Sequence, residues 1–161
     1  MRPSSVFLGG RTFILRDATE ADVSALAVLL ADDGIAVARE VPEDLGPYLR
    51  AFRAIEADPA HLLAVVQDLD GTIAGTLQLT LIPGLSRHGT LRAQIEAVRV
   101  ASAYRGGALG GLLVRWGADE ARSRGAALIQ LTTDLRRADA IRFYERLGFT
   151  GSHLGMKRDL T

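Results

Sequence analysis

Residues 96 to 114 decide the fold of this chain; they read Glu96-Ala-Val-Arg-Val-Ala-Ser-Ala-Tyr-Arg-Gly-Gly-Ala-Leu-Gly-Gly-Leu-Leu-Val114. The stretch begins as an apolar alternating strand, turns through a glycine-rich loop and continues as an amphipathic helix. The first amides of a helix lack intrahelical partners and lie at the positive end of its dipole, which suits a phosphate or pyrophosphate. We therefore expect a phosphorylated ligand at this loop.

Two common phosphate-binding loops are excluded by the residues of this segment. A P-loop ends in Gly-Lys-Ser/Thr, and the segment contains no lysine. A dinucleotide-binding loop requires Gly-x-Gly-x-x-Gly, and the run Arg105-Gly-Gly-Ala-Leu-Gly-Gly111 does not have that spacing. The ligand is therefore expected to be of another class.

The loop resembles the acyl-CoA pyrophosphate loop of the GNAT superfamily of N-acetyltransferases, whose pattern is Arg/Gln-x-x-Gly/Ala-x-Gly/Ala after a strand. Here the pattern is Arg105-x-x-Ala108-x-Gly110. A second segment, Ala140-Ile-Arg-Phe-Tyr-Glu-Arg-Leu-Gly-Phe149, is similar to the family's Ala-x-x-Phe/Leu-Tyr-Glu-x-x-Gly-Phe helix and strand. The resemblance is specific over residues 72–149 and extends to the N-terminal third only in general layout.

Composition bounds the class of protein. With 161 residues, 48% of them hydrophobic, the chain fits one domain over residues 1–161 with a substantial core. The formal net charge of zero argues against nonspecific nucleic-acid binding. The absence of cysteine excludes thiolate chemistry, and no His-x-x-x-His or carboxylate cluster suggests a metal. No apolar run reaches membrane-spanning or secretory-signal length, so we expect a cytoplasmic protein without a membrane partner.

Periodicity and turn residues predict the order of the elements. They are a strand over 12–16, a helix capped at 19–22 that ends near Asp32, a helix opened by Pro42 or Pro47, strands over 61–67, 72–82 and 90–100, a helix over 109–124, a strand over 127–132, a helix over about 138–147 and one or two strands in the tail 149–160. The predicted fold class is α/β with one parallel strand pair joined by a right-handed crossover. The resemblance implies the GNAT fold, a mixed central sheet of six to seven strands flanked by about four helices.

Glu96 is the candidate general base. Acyl transfer to an amine requires removal of an amine proton, a polarised thioester carbonyl and a proton for the departing thiolate. Several GNAT enzymes that resemble this chain keep, at the position of Glu96, a carboxylate that accepts the amine proton through water. In an alternating strand, Glu96 would share its face with Val98 and Val100. A cross-strand ion pair with a basic residue is the alternative role for Glu96.

Tyr144 occupies the motif position to which the resemblance assigns the general acid that protonates the CoA thiolate. The helical periodicity around Tyr144 by itself predicts a different role for this side chain. Ala140, Phe143, Tyr144 and Leu147 recur at the spacing of a buried helix face, which is a packing role. The resemblance favours the catalytic role.

The resemblance also implies the residues that bind the acyl donor, acetyl-CoA. Main-chain groups of the central strand would bind the pantetheine arm, and the glycine-rich loop would hold the pyrophosphate. The chain departs from the family at Arg137, where an Asn that contacts CoA is often found. The predicted donor-binding residues are Val98, Arg99, Val100, Arg105, Gly106, Gly107, Ala108, Leu109, Gly110, Gly111, Arg137, Ala140 and Phe143.

The acceptor is predicted to be a primary amine of a small molecule. Asp32 and Asp33 oppose the dipole at the end of a helix and hint at a cationic acceptor, such as a polyamine or an aminoglycoside-like antibiotic. His88 and His153 are further candidates for the edge of the acceptor pocket. The sequence leaves open acetylation of a protein lysine or N-terminus, a non-catalytic acyl-CoA-binding module, and a homodimer.

Overall fold

The computed structural model describes residues 3–32 and 44–160. Its strands form one six-stranded sheet whose spatial order follows the chain, and they are Ser4–Leu8 (β1), Arg11–Asp17 (β2), His61–Asp68 (β3), Ile73–Ile82 (β4), Arg92–Val100 (β5) and Leu128–Leu131 (β6). Neighbouring strands are antiparallel except β5 and β6, which are parallel. The helices are Val23–Ala31 (α1), Gly46–Ala57 (α2), the single turn Ser86–Gly89 (α3), Leu109–Ser123 (α4) and Ala138–Arg146 (α5). The mixed α/β architecture with one parallel pair is confirmed.

A capping box begins the first helical segment, as the residues at 19–22 predict. The main-chain amide and the hydroxyl of Thr19 both donate to Oδ2 of Asp22, at 2.7 and 2.9 Å. Asp22 is buried and also accepts two hydrogen bonds from the guanidinium of Arg16, at 2.7 and 2.9 Å. This carboxylate therefore joins the start of α1 to β2.

Helices cover both faces of the sheet. Leu77 and Ile95 face α4, since a Cβ on Gly117 of that helix would lie 3.3 and 3.5 Å from their side chains. The alternate residues Thr76 and Gln78 lie on the opposite face, beside α1 and α2. The core under α4 includes the buried residues Phe13, Leu15, Ala64, Val66, Leu77, Leu79, Ile95, Leu113 and Val114.

The structure differs from the sequence prediction at both ends of the chain. An additional strand, β1, pairs with β2 through a turn in which Gly9 and Gly10 have φ values of 57° and 79°. Residues 150–160 contain no strand and their side chains are exposed, so the strands predicted in the tail are absent there. Alternation describes a strand only where a neighbouring strand supplies hydrogen bonds, and here none does.

Two further observations concern the start of α2 and the character of the helices. Pro47 lies in the first turn of α2, while Pro42 falls outside the described residues. In the described part of the chain, no helix has the length and apolar character needed to cross a membrane.

Candidate active site

The central feature of β5 is a β-bulge at Ala97. Glu96 pairs with Gln78 of β4, but Arg99 pairs with Thr76, so three steps along β5 match two along β4. Ala97 has a φ of 51°, in the left-handed region that a side chain disfavours. An extra residue of this kind reverses the alternation of side chains beyond it.

The bulge separates Glu96 from the valines that follow it. Glu96 lies on the same face as its partner Gln78, toward α1 and α2, and its side chain is exposed. Val98 and Val100 pack against the core under α4. The prediction that Glu96 shares a face with these valines is wrong, because simple alternation does not continue across a bulge.

The surroundings of Glu96 leave its carboxylate and the adjacent backbone accessible. Within the described residues Glu96 forms no ion pair, and its cross-strand neighbour is the amide Gln78 rather than a cation. The parallel strand β6 pairs only with residues 92–95 of β5. On that side, residues 96–100 therefore have no strand partner in the described chain. The carbonyls of Val98 and Val100 accept hydrogen bonds of 3.0 Å from Arg99 and Arg105, so it is the main-chain N–H groups of this segment that can donate to an extended ligand.

The glycine-rich loop leads into an uncapped helix. Gly106 has a φ of 78°, a conformation that glycine adopts without steric cost. No side chain caps α4, and its first turn contains no acidic residue. The first intrahelical hydrogen bond runs from the amide of Leu112 to the carbonyl of Ala108, at 2.9 Å, so the preceding amides lack helical partners. This end of α4 has the chemistry that favours an anion.

Arg105 connects this loop to the end of α1. Its Nε donates to the carbonyl of Val100 at 3.0 Å, and its Nη2 donates to both the main-chain oxygen and Oδ2 of Asp32. Asp32 directly follows α1, where a carboxylate opposes the helix dipole. The guanidinium offsets this unfavourable charge. Asp32 is thus engaged within the protein, and its neighbour Asp33 lies outside the described residues.

Tyr104 is a residue whose role the sequence analysis missed. Its hydroxyl donates to Oδ2 of Asp68 at 2.6 Å, and its ring packs edge-on against Phe13. The hydrogen bond raises the pKa of Tyr104 and lowers the pKa of Asp68. The contact joins the loop to the turn between β3 and β4. No local pattern signals a contact between residues 36 positions apart in the chain.

Tyr144 lies among aromatic side chains on the inner face of α5. Its ring centroid is 5.0 Å from that of Phe143 and 5.8 Å from that of Phe149. Burial raises the pKa of Tyr144, and the guanidinium groups of Arg137 and Arg99 lower it to a lesser extent. The hydroxyl is therefore protonated at neutral pH, and it forms no hydrogen bond with another described residue. Packing and proton donation are compatible roles for this side chain.

The start of α4 packs against α5. A Cβ on Gly110 would lie 3.4 Å from the ring of Phe143 and 3.7 Å from Val100. Glycine at this motif position therefore allows close packing of two helices and a strand, in addition to any role toward a phosphate. The structure brings together in one packed cluster the predicted site residues Val98, Val100, Leu109, Phe143 and Tyr144.

The other predicted residues lie around this cluster or away from it. Arg137 precedes the first residue of α5, and Ala140 is half-buried on that helix. His88 is exposed in the α3 turn. His153 is exposed in the tail, where its Nδ1 lies 2.8 Å from the hydroxyl of Ser152. The loop residues Gly106, Gly107 and Ala108 are exposed, whereas Gly111 is buried within α4. No group of His, Asp or Glu suited to a metal ion occurs among the described residues.

Comparison with known proteins identifies the family of this chain. The sequence matches the profile of the acetyltransferase (GNAT) family over residues 26–149. The chain belongs to the GNAT acetyltransferase family. GNAT enzymes use acetyl-CoA as their acetyl donor, and this chain is an acyltransferase of that family.

Three known proteins are similar to this GNAT chain over most of its length. The aminoalkylphosphonate N-acetyltransferase of Salmonella typhimurium is 30% identical over 147 residues, which cover 91% of this chain and 90% of that protein. The streptothricin acetyltransferase of Streptomyces lavendulae is also 30% identical, with coverage of 87% and 82%. A solved structure from Bacillus halodurans C-125, described as a transcriptional regulator, is 44% identical with a TM-score of 0.87 and coverage of 91% and 98%.

Proposed function

We propose that this GNAT acetyltransferase transfers an acetyl group from acetyl-CoA to a primary amine of a small molecule. The observation that carries the proposal is the junction at the end of β5. There a strand edge that lacks a neighbouring strand in the described chain, at residues 96–100, leads through the glycine-rich loop to the uncapped amides of α4. The names of the two relatives at 30% identity, an aminoalkylphosphonate and a streptothricin acetyltransferase, support a small-molecule acceptor.

The donor-binding part of the proposal assigns separate sections of acetyl-CoA to separate parts of the junction. Main-chain groups of β5 beyond the bulge bind the extended pantetheine arm, and the amides of the loop and of α4 bind the pyrophosphate. The first turn of α4 has no carboxylate that would repel the phosphates. The assigned residues are Val98, Arg99, Val100, Arg105, Gly106, Gly107, Ala108, Leu109, Gly110, Gly111, Arg137, Ala140 and Phe143.

The proposed reaction is a direct transfer. Glu96 accepts a proton from the acceptor ammonium through water, and the freed amine attacks the thioester carbonyl, which the Val98 amide polarises. A C–N bond forms, the C–S bond breaks, the thiolate takes the phenolic proton of Tyr144, and the attacking nitrogen loses its second proton to water. The exposure of Glu96 supports the water-mediated step, and the raised pKa of Tyr144 supports its role as an acid. Exchange with solvent then restores both groups.

The test is acceptor-dependent release of CoA from acetyl-CoA, with a panel of amines and peptides. We expect the native chain to turn over amines, and Glu96→Gln and Tyr144→Phe each to lower kcat by about 100-fold. Acetyl-CoA affinity, measured by calorimetry, should change by less than about twofold in both variants. Glu145→Gln, an exposed carboxylate next to Tyr144, is the matched control and should retain activity.

Two other outcomes identify the alternatives. Tight acetyl-CoA binding without CoA release for any acceptor would identify a non-catalytic acyl-CoA-binding module. Turnover restricted to peptides would identify a protein acetyltransferase. Either result would contradict the proposed function.

A further inference from the structure

A cavity of about 140 Å³ lies between α1, α2 and the sheet, next to Glu96. Two of its lining residues adjoin that carboxylate. Gln78 is the cross-strand partner of Glu96, and Ala97 follows it in the bulge. The cavity therefore lies on the face of the sheet to which the proposed base belongs.

The wall of this cavity is mainly apolar. Leu26 and Leu30 of α1 line one side, and Phe52 and Ile55 of α2 line another. None of the described lining residues is a carboxylate. Placing an ammonium group against such a wall costs free energy, because the charge loses its hydrating water and the described wall has no carboxylate to replace it. The described wall of the cavity thus offers no carboxylate to the further ammonium groups of a polyamine or an aminoglycoside.

The size of the cavity indicates what it does suit. An engineered protein cavity of about 150 Å³ lined by Leu, Ile and Phe binds benzene. The cavity beside Glu96 has nearly that volume and a mainly apolar lining that includes Leu, Ile and Phe side chains. It can therefore hold an apolar group of about six carbon atoms.

Gln78 adds a polar contact at the wall. Its side chain is half-buried, and its amide forms no hydrogen bond with another described residue. Thr76, also in the lining, differs because its hydroxyl donates to the carbonyl of Ala64 at 2.8 Å. A half-buried amide beside an apolar wall retains a donor and an acceptor for a ligand.

Resting on the proposed function, we infer that the acceptor is a primary amine that carries one compact apolar group of about six carbon atoms. The apolar group occupies this cavity, Gln78 forms a hydrogen bond with the acceptor, and the amine lies at Glu96. Gln78 is a positioning residue for the acceptor, with no part in the donor site.

The first experiment measures kcat/KM for benzylamine, isopentylamine, methylamine, spermidine and kanamycin. We expect benzylamine and isopentylamine to exceed the other three by about tenfold or more, since burial of several methylene-sized groups separates them. The native protein and acetyl-CoA at saturation are used throughout.

The second experiment fills the cavity. Ala51 and Ala54 are both exposed on α2, but only Ala51 lines the cavity. Ala51→Phe should raise the KM for benzylamine by about tenfold and leave acetyl-CoA affinity unchanged, whereas Ala54→Phe should match the native chain. Gln78→Leu should raise the acceptor KM. Its control is Gln94→Leu, because the Oε1 of Gln94 already accepts a hydrogen bond from Gln130 at 2.8 Å.

The outcomes separate this inference from the function on which it rests. Preferred turnover of spermidine or kanamycin, or equal behaviour of the Ala51 and Ala54 variants toward benzylamine, would overturn the inference and leave the acetyltransferase function intact. A lack of CoA release with every amine, while acetyl-CoA still binds, would overturn both.

Discussion

Arg105 donates hydrogen bonds of 2.6 and 2.8 Å to the main-chain oxygen and the carboxylate of Asp32, 73 residues earlier in the chain. Asp32 directly follows α1, which lines the cavity proposed for the acceptor, and Arg105 begins the loop proposed for the donor. One side chain thus connects the two halves of the proposed site. The contact also explains how a carboxylate is tolerated at the negative end of a helix.

We predict that Arg105 and Asp32 are energetically coupled. Arg105→Ala and Asp32→Ala should each lower the free energy of unfolding, and the double variant should show a coupling of about 0.5–1 kcal/mol, because both side chains are about half exposed. Urea denaturation measures the cycle. The pair Arg122 and Asp119, with exposures of 76% and 73%, is the control and should show coupling near zero. Additive effects for Arg105 and Asp32 would contradict the prediction.

The pH dependence of turnover should reflect the phenol of Tyr144. Burial raises its pKa above the ordinary value of about 10, so the acid form persists and kcat should fall only above that pH. Tyr144→Phe should lower kcat at neutral pH and remove the alkaline decline. Rates of CoA release across this range, with circular dichroism to follow folding, provide the measurement.

Tyr104→Phe is the matched control for this pH dependence. The pKa of Tyr104 is raised too, but its hydroxyl is bound to Asp68. This variant should retain the alkaline decline. If instead the decline stays in Tyr144→Phe and disappears in Tyr104→Phe, the assignment of the acid is incorrect.

Gly75 should not tolerate a side chain. A Cβ there would lie 2.9 Å from the carbonyl of Arg99 and 3.0 Å from Leu113, where strand and helix pack against β4. Gly75→Ala should therefore lower the free energy of unfolding by about 2 kcal/mol. Gly151→Ala, where a Cβ meets no atom within 4 Å, is the control and should have little effect. Urea midpoints compare them, and equal stability would refute the close packing described here.

Asp22 should contribute stability that is lost in acid. The hydrogen bonds from Arg16 lower the pKa of Asp22. Folding therefore stabilises the ionised carboxylate relative to its protonated form. The contribution is complete above the unfolded pKa of about 3.9 and disappears as the pH falls through the lower folded value. Asp22→Ala should lower the free energy of unfolding by about 2 kcal/mol at neutral pH.

Denaturation of both proteins over a pH series provides the measurement for Asp22. The curves of Asp22→Ala and the native chain should converge in acid. Asp119→Ala, which removes an exposed carboxylate, should track the native chain throughout. A difference in the free energy of unfolding between Asp22→Ala and the native chain that does not depend on pH would show that the charge of the carboxylate does not stabilise the fold.

Much of the fold could be predicted because its signals are local. The capping box at Thr19 and Asp22, the glycine-rich loop and the aromatic face of α5 each depend on neighbouring residues. The family motifs combine such local elements, and the match over residues 26–149 bears out the family that they indicate. The tail was predicted less well, because a strand requires a partner that a local pattern cannot supply.

The sequence by itself determined the family, the order of the strands and helices from β2 to α5 apart from the short α3 turn, and the residue types at the proposed site. Only the tertiary structure decided which way those residues face. The register of β5 on β4 places Glu96 beside Gln78 and the cavity, the bulge at Ala97 turns the following valines to the opposite face, and Asp32 is hydrogen-bonded to Arg105. These outcomes depend on how distant segments pair, and backbone register and long-range hydrogen bonds are set by the packed sheet rather than by local residue patterns.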